Sequence, residues 1–487
     1  MAKRVAIIDI GSNSIRMAIF ERTSRFAFHL LHEAKSKVRI SQNAYQNNGN
    51  LQKDAMDRTF FALTDFLSIA KSFKVTKTLC VATSALRDAP NKSEFLSHVK
   101  KKLSLNIKVI NGEKEALYGA IACANLLPIQ TNALTIDIGG GSTEFTIINN
   151  QDVTNPISLD LGTVRLKELY FDTGNIEGAI TFIDTRLEVL DILTPTTLIG
   201  IGGSFRAIVQ ALILHTKYPL NKIHSFESTQ DVFLDFIEIV LNSDDEKLKK
   251  IYIKTDRLDV IKPGALILQR VLKKFALQNL ITSGVGVREG VYLSDLLRNS
   301  KNKLPVNYNT SVRYLIDRYI LEPNHSNELN KLAKDIFDLT AEHLQIPKSY
   351  KHELAIAAKL YPIGTAIHFY SKNKHSYYLI QSALEYGFTH KQIALIATLA
   401  RYGKKKAPSI SHQEKYKMLL PDTKIVNALS YILSLSLALL SHRPRNRDFN
   451  ISFEDSTLKV ISNKKLYLAE YAIAKLPKFK PLKITLN

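Results

Sequence analysis

The chain has 487 residues, of which 45% are hydrophobic and 23% charged. That length exceeds a single compact core and fits two to four domains, and the balance excludes a disordered or fibrous chain. Its 66 Lys and Arg outweigh 45 Asp and Glu, a formal net charge of +21 that attracts polyanions such as nucleic acid, polyphosphate, nucleotides or anionic lipid.

Two cysteines, Cys80 and Cys123, lie in apolar runs and offer neither a disulfide framework nor a CxxC metal clip, which fits a reducing cytoplasm. The segment MAKRVAIIDIGSNS reaches an aspartate and a glycine too soon for the apolar core of a signal peptide. The longest apolar stretch, Ile425–Leu440, contains Asn427, Ser430, Ser434 and Ser436 and falls short of the roughly 20 residues a membrane span needs. It reads as a buried helix, and no membrane association is expected.

Taken in chain order, RVAIIDI, RMAIF, KTLCVAT, IKVI, ALTIDI, EFTII and TLIGIGG alternate with amphipathic segments, the rhythm of an α/β protein. From about Tyr314 onward long helical patterns take over, and strand-like runs return only in FNISF, LKVIS and PLKITLN. Leu297–Ser311, rich in Lys, Asn and Ser with one Pro, suits a linker. The expected division is residues 1–125, 126–300, 312–442 and 443–487.

The α/β part contains a repeat. AIIDIGSNSIRMAIF (Ala6–Phe20) lies over LTIDIGGGSTEFTII (Leu134–Ile148) without a gap, pairing Ile8, Asp9, Ile10, Gly11, Ser14 and Ile19 with Ile136, Asp137, Ile138, Gly139, Ser142 and Ile147. Two copies of so unusual a turn point to duplicated halves. Each reads as two strands joined by a tight hairpin whose Gly, Ser and Asn supply the backbone freedom. Such a turn also forms a nest for an anion, with Ser and Thr hydroxyls as extra donors. Asp137 and Glu144 flank the second turn, and acids beside a phosphate-friendly loop are useful when a hard cation such as Mg2+ joins the two. Neither a Rossmann GxGxxG nor a Walker A sequence is present. A third cluster, TLIGIGGSFRAIV, leads from a strand into a helix, so Gly202, Gly203 and Ser204 present N–H groups at a helix start.

These motifs resemble the acetate kinase, Hsp70 and actin superfamily. Within it, IDIGSNSIRM, VATSALRDA, VINGEKEALYGA, IDIGGGSTEF and GIGGS, in this order, are similar to the exopolyphosphatase and guanosine pentaphosphate phosphohydrolase (Ppx/GppA) family. The resemblance implies two duplicated actin-like, ribonuclease H-like α/β domains, a mainly helical HD-like domain and a short C-terminal α+β segment. It gives Glu115 the role of activating the attacking water, and Asp137 and Glu144 the Mg2+ and water environment. Gly11, Ser12, Asn13 and Ser14 match one phosphate loop; Gly139, Gly140, Gly141, Ser142 and Thr143 match the other. Arg87 matches an arginine facing the terminal phosphates.

The HD enzymes' metal site needs a His, a His-Asp pair and further histidines. His325 and His375 stand where two of those histidines belong, but Tyr361 and Pro362 replace the pair and Gly403 replaces a later histidine. Neither Tyr nor Pro substitutes for imidazole and carboxylate. The expectation is a helical domain without its own chemistry, whose YGKKKAP and SHRPRNRD (Ser441–Asp448) runs are candidates to line a polyanion path.

The leading expectation is a cytoplasmic Mg2+-dependent hydrolase acting on polyphosphate, guanosine pentaphosphate or both, with polyphosphate favoured by the charge. The family resemblance implies a homodimer, and no specific nucleic-acid binding is expected. An ATP-using member of the same fold and a non-enzymatic sensor of polyphosphate or guanosine tetraphosphate are the rival readings.

Overall fold

After Arg4, the strand Arg4–Ile10 is apolar on both faces except for Asp9, as a strand covered on two sides must be. It forms β1, and the following IRMAIFER forms β2 (Ile15–Arg22). The structure, a computed structural model, describes residues 3–403 and 407–486. Lys404–Lys406 of the basic run YGKKKAP lie outside the described residues. The chain divides into two units, Met1–Tyr308 and Asn309–Asn487.

The first unit holds two sheets. One has the order β3-β2-β1-β4-β5, with β3 at Phe28–Ser36, β4 at Lys77–Ala82 and β5 at Ile107–Val109. The other has the order β10-β11-β9-β6-β7-β8. Its strands are β6 (Gln130–Ile138), β7 (Thr143–Asn150), β8 (Asp152–Leu159), β9 (Thr197–Ile201), β10 (Glu227–Ser228) and β11 (Asn279–Thr282). In each sheet three antiparallel strands are followed by two parallel ones added on the far side of the first, and in the second sheet β10 adds a short antiparallel edge. The duplication read from the sequence is thus a duplication of topology, and the unit is an α/β actin-like pair of domains.

Strand alternation decides which way the acids face. In β1, Ala6, Ile8 and Ile10 join one core with Ile15, Met17, Leu63 and Phe66, which leaves Asp9 on the opposite face. In β6, Leu134, Ile136 and Ile138 join a core with Phe145, Phe205 and Leu268. Ala133 joins Ala120, Cys123 and Ala124 of the Gly112–Leu126 helix, so Asp137, four residues on, shares the face which that helix covers. Each fully buried Ile, Leu or Phe in these cores contributes about 1.5–3 kcal/mol, which fixes the strand register and, with it, the acids.

The second unit is mainly helical. Its longest helices are Pro323–Thr340 and Thr423–Leu439. A small sheet of order β12-β13-β14 follows, at Asn450–Glu454, Thr457–Ile461 and Lys483–Leu486. Phe449, Leu458, Val460 and Leu482 enter the same core as Leu329, Leu354 and Leu429, so the C-terminal strands complete the helical body. The apolar stretch near Ile425 is a buried helix whose Ser434 and Ser436 hydroxyls donate to the carbonyls of Ser430 and Ile432, each at 2.8 Å. Among the described residues no helix is long and apolar enough to cross a membrane.

At the HD-like positions, Tyr361 is buried under the Lys372 ammonium, 5.6 Å from its ring centre. Burial and the nearby Arg443 and Lys372 charges hold the His325 imidazole below its ordinary range. Arg443 and Lys372 outweigh Glu322 at this histidine, which is the reverse of a metal site's field. Among the described residues no three His, Cys, Asp or Glu side chains gather as a metal cluster.

Candidate active site

The two hairpins close in the same way. Gly11 N–H donates to the Ser14 carbonyl at 3.2 Å, and Gly139 N–H donates to the Ser142 carbonyl at 2.9 Å. Each turn is held from behind by its carbonyls. Ser12 and Asn13 carbonyls accept from the N–H groups of Ser41 and Arg39. Gly139 and Gly140 carbonyls accept from Thr163 and from Val164 and Arg165. With the carbonyls tied to backing segments, the turns present their N–H side to the space between them, the arrangement of an anion nest. The turns meet: a Cβ on Gly140 would stand 2.9 Å from the Ser12 Cβ, so only glycine permits this approach.

Both turns line one cavity, with Gly11, Ser12, Asn13 and Ser14 on one side and Gly139, Gly140 and Ser142 on the other. Gly202, Gly203 and Ser204 join them at the start of the Gly202–His215 helix, whose first-turn N–H groups carry the helix's positive end. Gly202 has φ +85°, and a Cβ there would also lie 2.5 Å from Asp137 Oδ1. Glu115 enters the cavity from the first turn of the Gly112–Leu126 helix, which Asn111 caps by accepting the Lys114 N–H at 2.9 Å.

The acids are costly where they are. Burial lifts the Asp137 carboxyl to about 6, with Asp9 adding to the shift and Arg206 opposing it. Asp9 is raised by burial too, and its Oδ1 is buried without a hydrogen-bond partner. Glu144, paired across the strands with Asp137, is pushed up to about 8 by burial and by Asp137, although Ser158 donates to it at 2.9 Å. Burial and Glu144 raise Glu115 well above the usual carboxylate range, against the pull of Arg87, whose Nη1 donates to Glu115 Oε2 at 3.0 Å. Asp9 and Asp137 line the cavity beside the nests, and two hard carboxylates facing a phosphate cradle fit a small hard cation that completes its shell with water and phosphate oxygens.

Four arginines complete the lining: Arg16, Arg206, Arg257 and Arg288. Burial and the other three guanidiniums bring Arg16 down to about 10. Arg206 is anchored by Nε to the Ser283 carbonyl at 2.7 Å and by Nη2 to the Val285 carbonyl at 2.8 Å. Arg288 is paired with Glu33 at 2.6 Å. Four guanidiniums in one cavity, two of them anchored, suit a ligand that carries several phosphate groups.

Of the residues expected from the sequence, the cavity gathers Glu115, Asp137, the first turn, Gly139, Gly140, Ser142 and the third glycine cluster. Gly141, Thr143, Glu144 and Arg87 stand outside its lining. Thr143 is buried and donates its hydroxyl to the Leu161 carbonyl. Glu144 lies behind Asp137, and Arg87 reaches the cavity through Glu115 and Ser142. The sequence reading passed over Asp9, Thr83, Ser84 and the arginines. Asp9 was within reach, because the repeat pairs it with Asp137.

Paired nests, buried acids and clustered guanidiniums in duplicated actin-like domains define a phosphate-handling protein. The sequence model of the Ppx/GppA phosphatase family matches residues 18–299, and that of Ppx/GppA phosphatase domain III matches residues 308–474. The chain belongs to the Ppx/GppA phosphatase family and is a hydrolase. It is 25% identical over 467 residues, 93% of this chain and 90% of the other, to a guanosine-5'-triphosphate,3'-diphosphate pyrophosphatase of Photobacterium profundum. It is 29% identical to the crystallised Ppx/GppA family member of Aquifex aeolicus, with TM-score 0.54, over 62% of this chain and 99% of that one. An exopolyphosphatase from Cytophaga hutchinsonii, 24% identical with TM-score 0.57 over 62% of this chain and all of that one, shares the fold.

Proposed function

We propose that the protein removes the terminal phosphate from a phosphoanhydride chain by Mg2+-assisted attack of water, and that linear polyphosphate is its preferred substrate. One observation carries this: both nests and the Glu115 carboxylate face the same cavity. Phosphoryl transfer asks a protein mainly for positioning and charge neutralisation. The N–H groups and Ser hydroxyls of the turns hold the terminal phosphoryl group, and the arginines hold the phosphates behind it. Glu115 accepts the water proton as the water oxygen bonds to phosphorus; the anhydride bond breaks and its electrons leave with the shortened chain. Mg2+, held by Asp9 and Asp137, supplies charge neutralisation when bound. Asp9's unpartnered oxygen and the raised Asp137 carboxyl support this assignment.

Polyphosphate is preferred because four arginines line the cavity and, among the described lining residues, no aromatic ring offers a base a stacking surface. A second reading, guanosine pentaphosphate, is favoured by the name of the Photobacterium relative, which matches over nearly the whole chain. Phosphate release from long-chain polyphosphate and from guanosine pentaphosphate, measured side by side with Mg2+, tests both. The expected result is a higher kcat/KM on polyphosphate. An equal or higher value on guanosine pentaphosphate reverses the preference, and release from neither contradicts the proposal.

A further inference from the structure

In the reading above the turns and Glu115 hold the terminal phosphate and the arginines hold the phosphates behind it, so the rest of the chain occupies the arginine side of the cavity. After each cleavage the freed phosphate lies behind the chain that is to be cut next. An enzyme that keeps hold of a long chain needs a second way out for phosphate.

The structure contains a second opening next to the site. It is lined by Arg87, Asn111, Gly112, Glu113, Ser158 and Asp160, with Pro156 and Ile157 at its side. Arg87 lines this opening and not the substrate cavity, while its partners Glu115 and Ser142 line the substrate cavity and not the opening. The guanidinium thus bridges residues that line the two spaces. It is held by Glu115 Oε2 at 3.0 Å, by the Ile110 carbonyl at 3.3 Å and by the Ser142 hydroxyl at 3.5 Å. About 20% of its side chain is exposed against 11% for Glu115. Its outer neighbours are acids. Asp88 is 3.5 Å from Nε, and Glu113 and Asp160 are exposed on the rim of the opening. An arginine between an inner acid and outer acids has alternative partners in both directions, and an anion newly freed beside it is a competing partner for its donors. Arg165, 3.5 Å from Asp88 and 3.6 Å from Asp160, offsets these acids, so an anion leaving past Arg87 meets a second guanidinium on the rim.

We propose that this opening is the exit for inorganic phosphate, with Arg87 as its gate, and that the substrate chain keeps to the other side. The inference rests on the hydrolytic reading above. Asp160→Cys and Glu113→Cys place thiols on the exposed rim, and the native Cys80 and Cys123 are buried, so a bulky maleimide added to the folded protein plugs the opening selectively. Quenched-flow cleavage of polyphosphate is compared with phosphate release read by a phosphate-binding sensor, before and after labelling. First-turnover cleavage is expected to be unchanged by the label while release slows about tenfold or more, leaving phosphate on the enzyme. Release that keeps pace with cleavage in the labelled protein overturns the exit. Loss of first-turnover cleavage on labelling also overturns it, by making the opening a way in. No cleavage by the unlabelled variants and the parent protein refutes the hydrolytic reading, and the inference with it.

Discussion

The two hairpins of the first unit share a turn but differ in what faces the buried aspartate. In the first, Asp9 lies across the strands from Arg16; in the second, Asp137 lies across from Glu144. One copy offsets its acid with a cation of its own. The other doubles the acid, lifts Asp137 to about 6 and Glu144 to about 8, and stands beside Glu115. Duplication thus supplied two equivalent hairpins, and divergence at one cross-strand position set a cation beside Asp9 and a second acid beside Asp137. The charge placed beside the aspartate, and not the turn itself, distinguishes the two halves.

The largest expected effect that tests this asymmetry comes from neutralising each aspartate in turn. Asp137→Asn should lower kcat by about a thousandfold, and Asp9→Asn by about ten- to a hundredfold with a larger rise in the Mg2+ concentration needed, as steady-state kinetics would show. Equal losses would erase the distinction between the halves. Next in size, Gly202→Ala forces a residue with a Cβ to φ +85° against Asp137 Oδ1 and should cost about 1–3 kcal/mol in denaturant unfolding.

Electrostatics gives two smaller tests. The folded protein holds protons on Asp137 up to about pH 6 and on Glu144 up to about pH 8, above where the unfolded chain releases them. The stability these two groups contribute without metal is therefore full below the unfolded carboxylate range and is lost as pH rises through about 6 for Asp137 and about 8 for Glu144. Mg2+ should accordingly raise Tm more at pH 8 than at pH 6, and a shift independent of pH would argue against a cation at these acids. Glu144 and Glu115 oppose each other's ionisation, so with Glu144→Gln the Glu115 carboxyl should ionise more readily and the acid limb of kcat/KM should move to lower pH. If the limb stays put, Glu144 is not coupled to the base.

Much of this was legible because the informative residues are contiguous. A strand, a bare-backbone turn and a strand fit within fifteen letters, and the repeat shows them twice. The edge strands β3 and β8 escaped notice because FHLLHEAKS and DVTNPISL are half-exposed, mix charge with apolar residues and, in β8, include Pro156. The arginine cluster was out of reach for another reason. Arg16, Arg206, Arg257 and Arg288 are each an ordinary charge in sequence, and only the topology of two sheets brings them to one cavity. Arg87 shows the limit from the opposite side: the motif marks it, but not that it touches the site through Glu115 while facing a second opening.

The most direct test of the central claim is Glu115→Gln, assayed for both turnover and pyrophosphate binding in the presence of Mg2+. The account predicts a loss of turnover of about 10²–10⁴-fold with binding retained, since the cradles are untouched while the proton acceptor is gone. Turnover near that of the parent protein, or binding lost together with turnover, would contradict it.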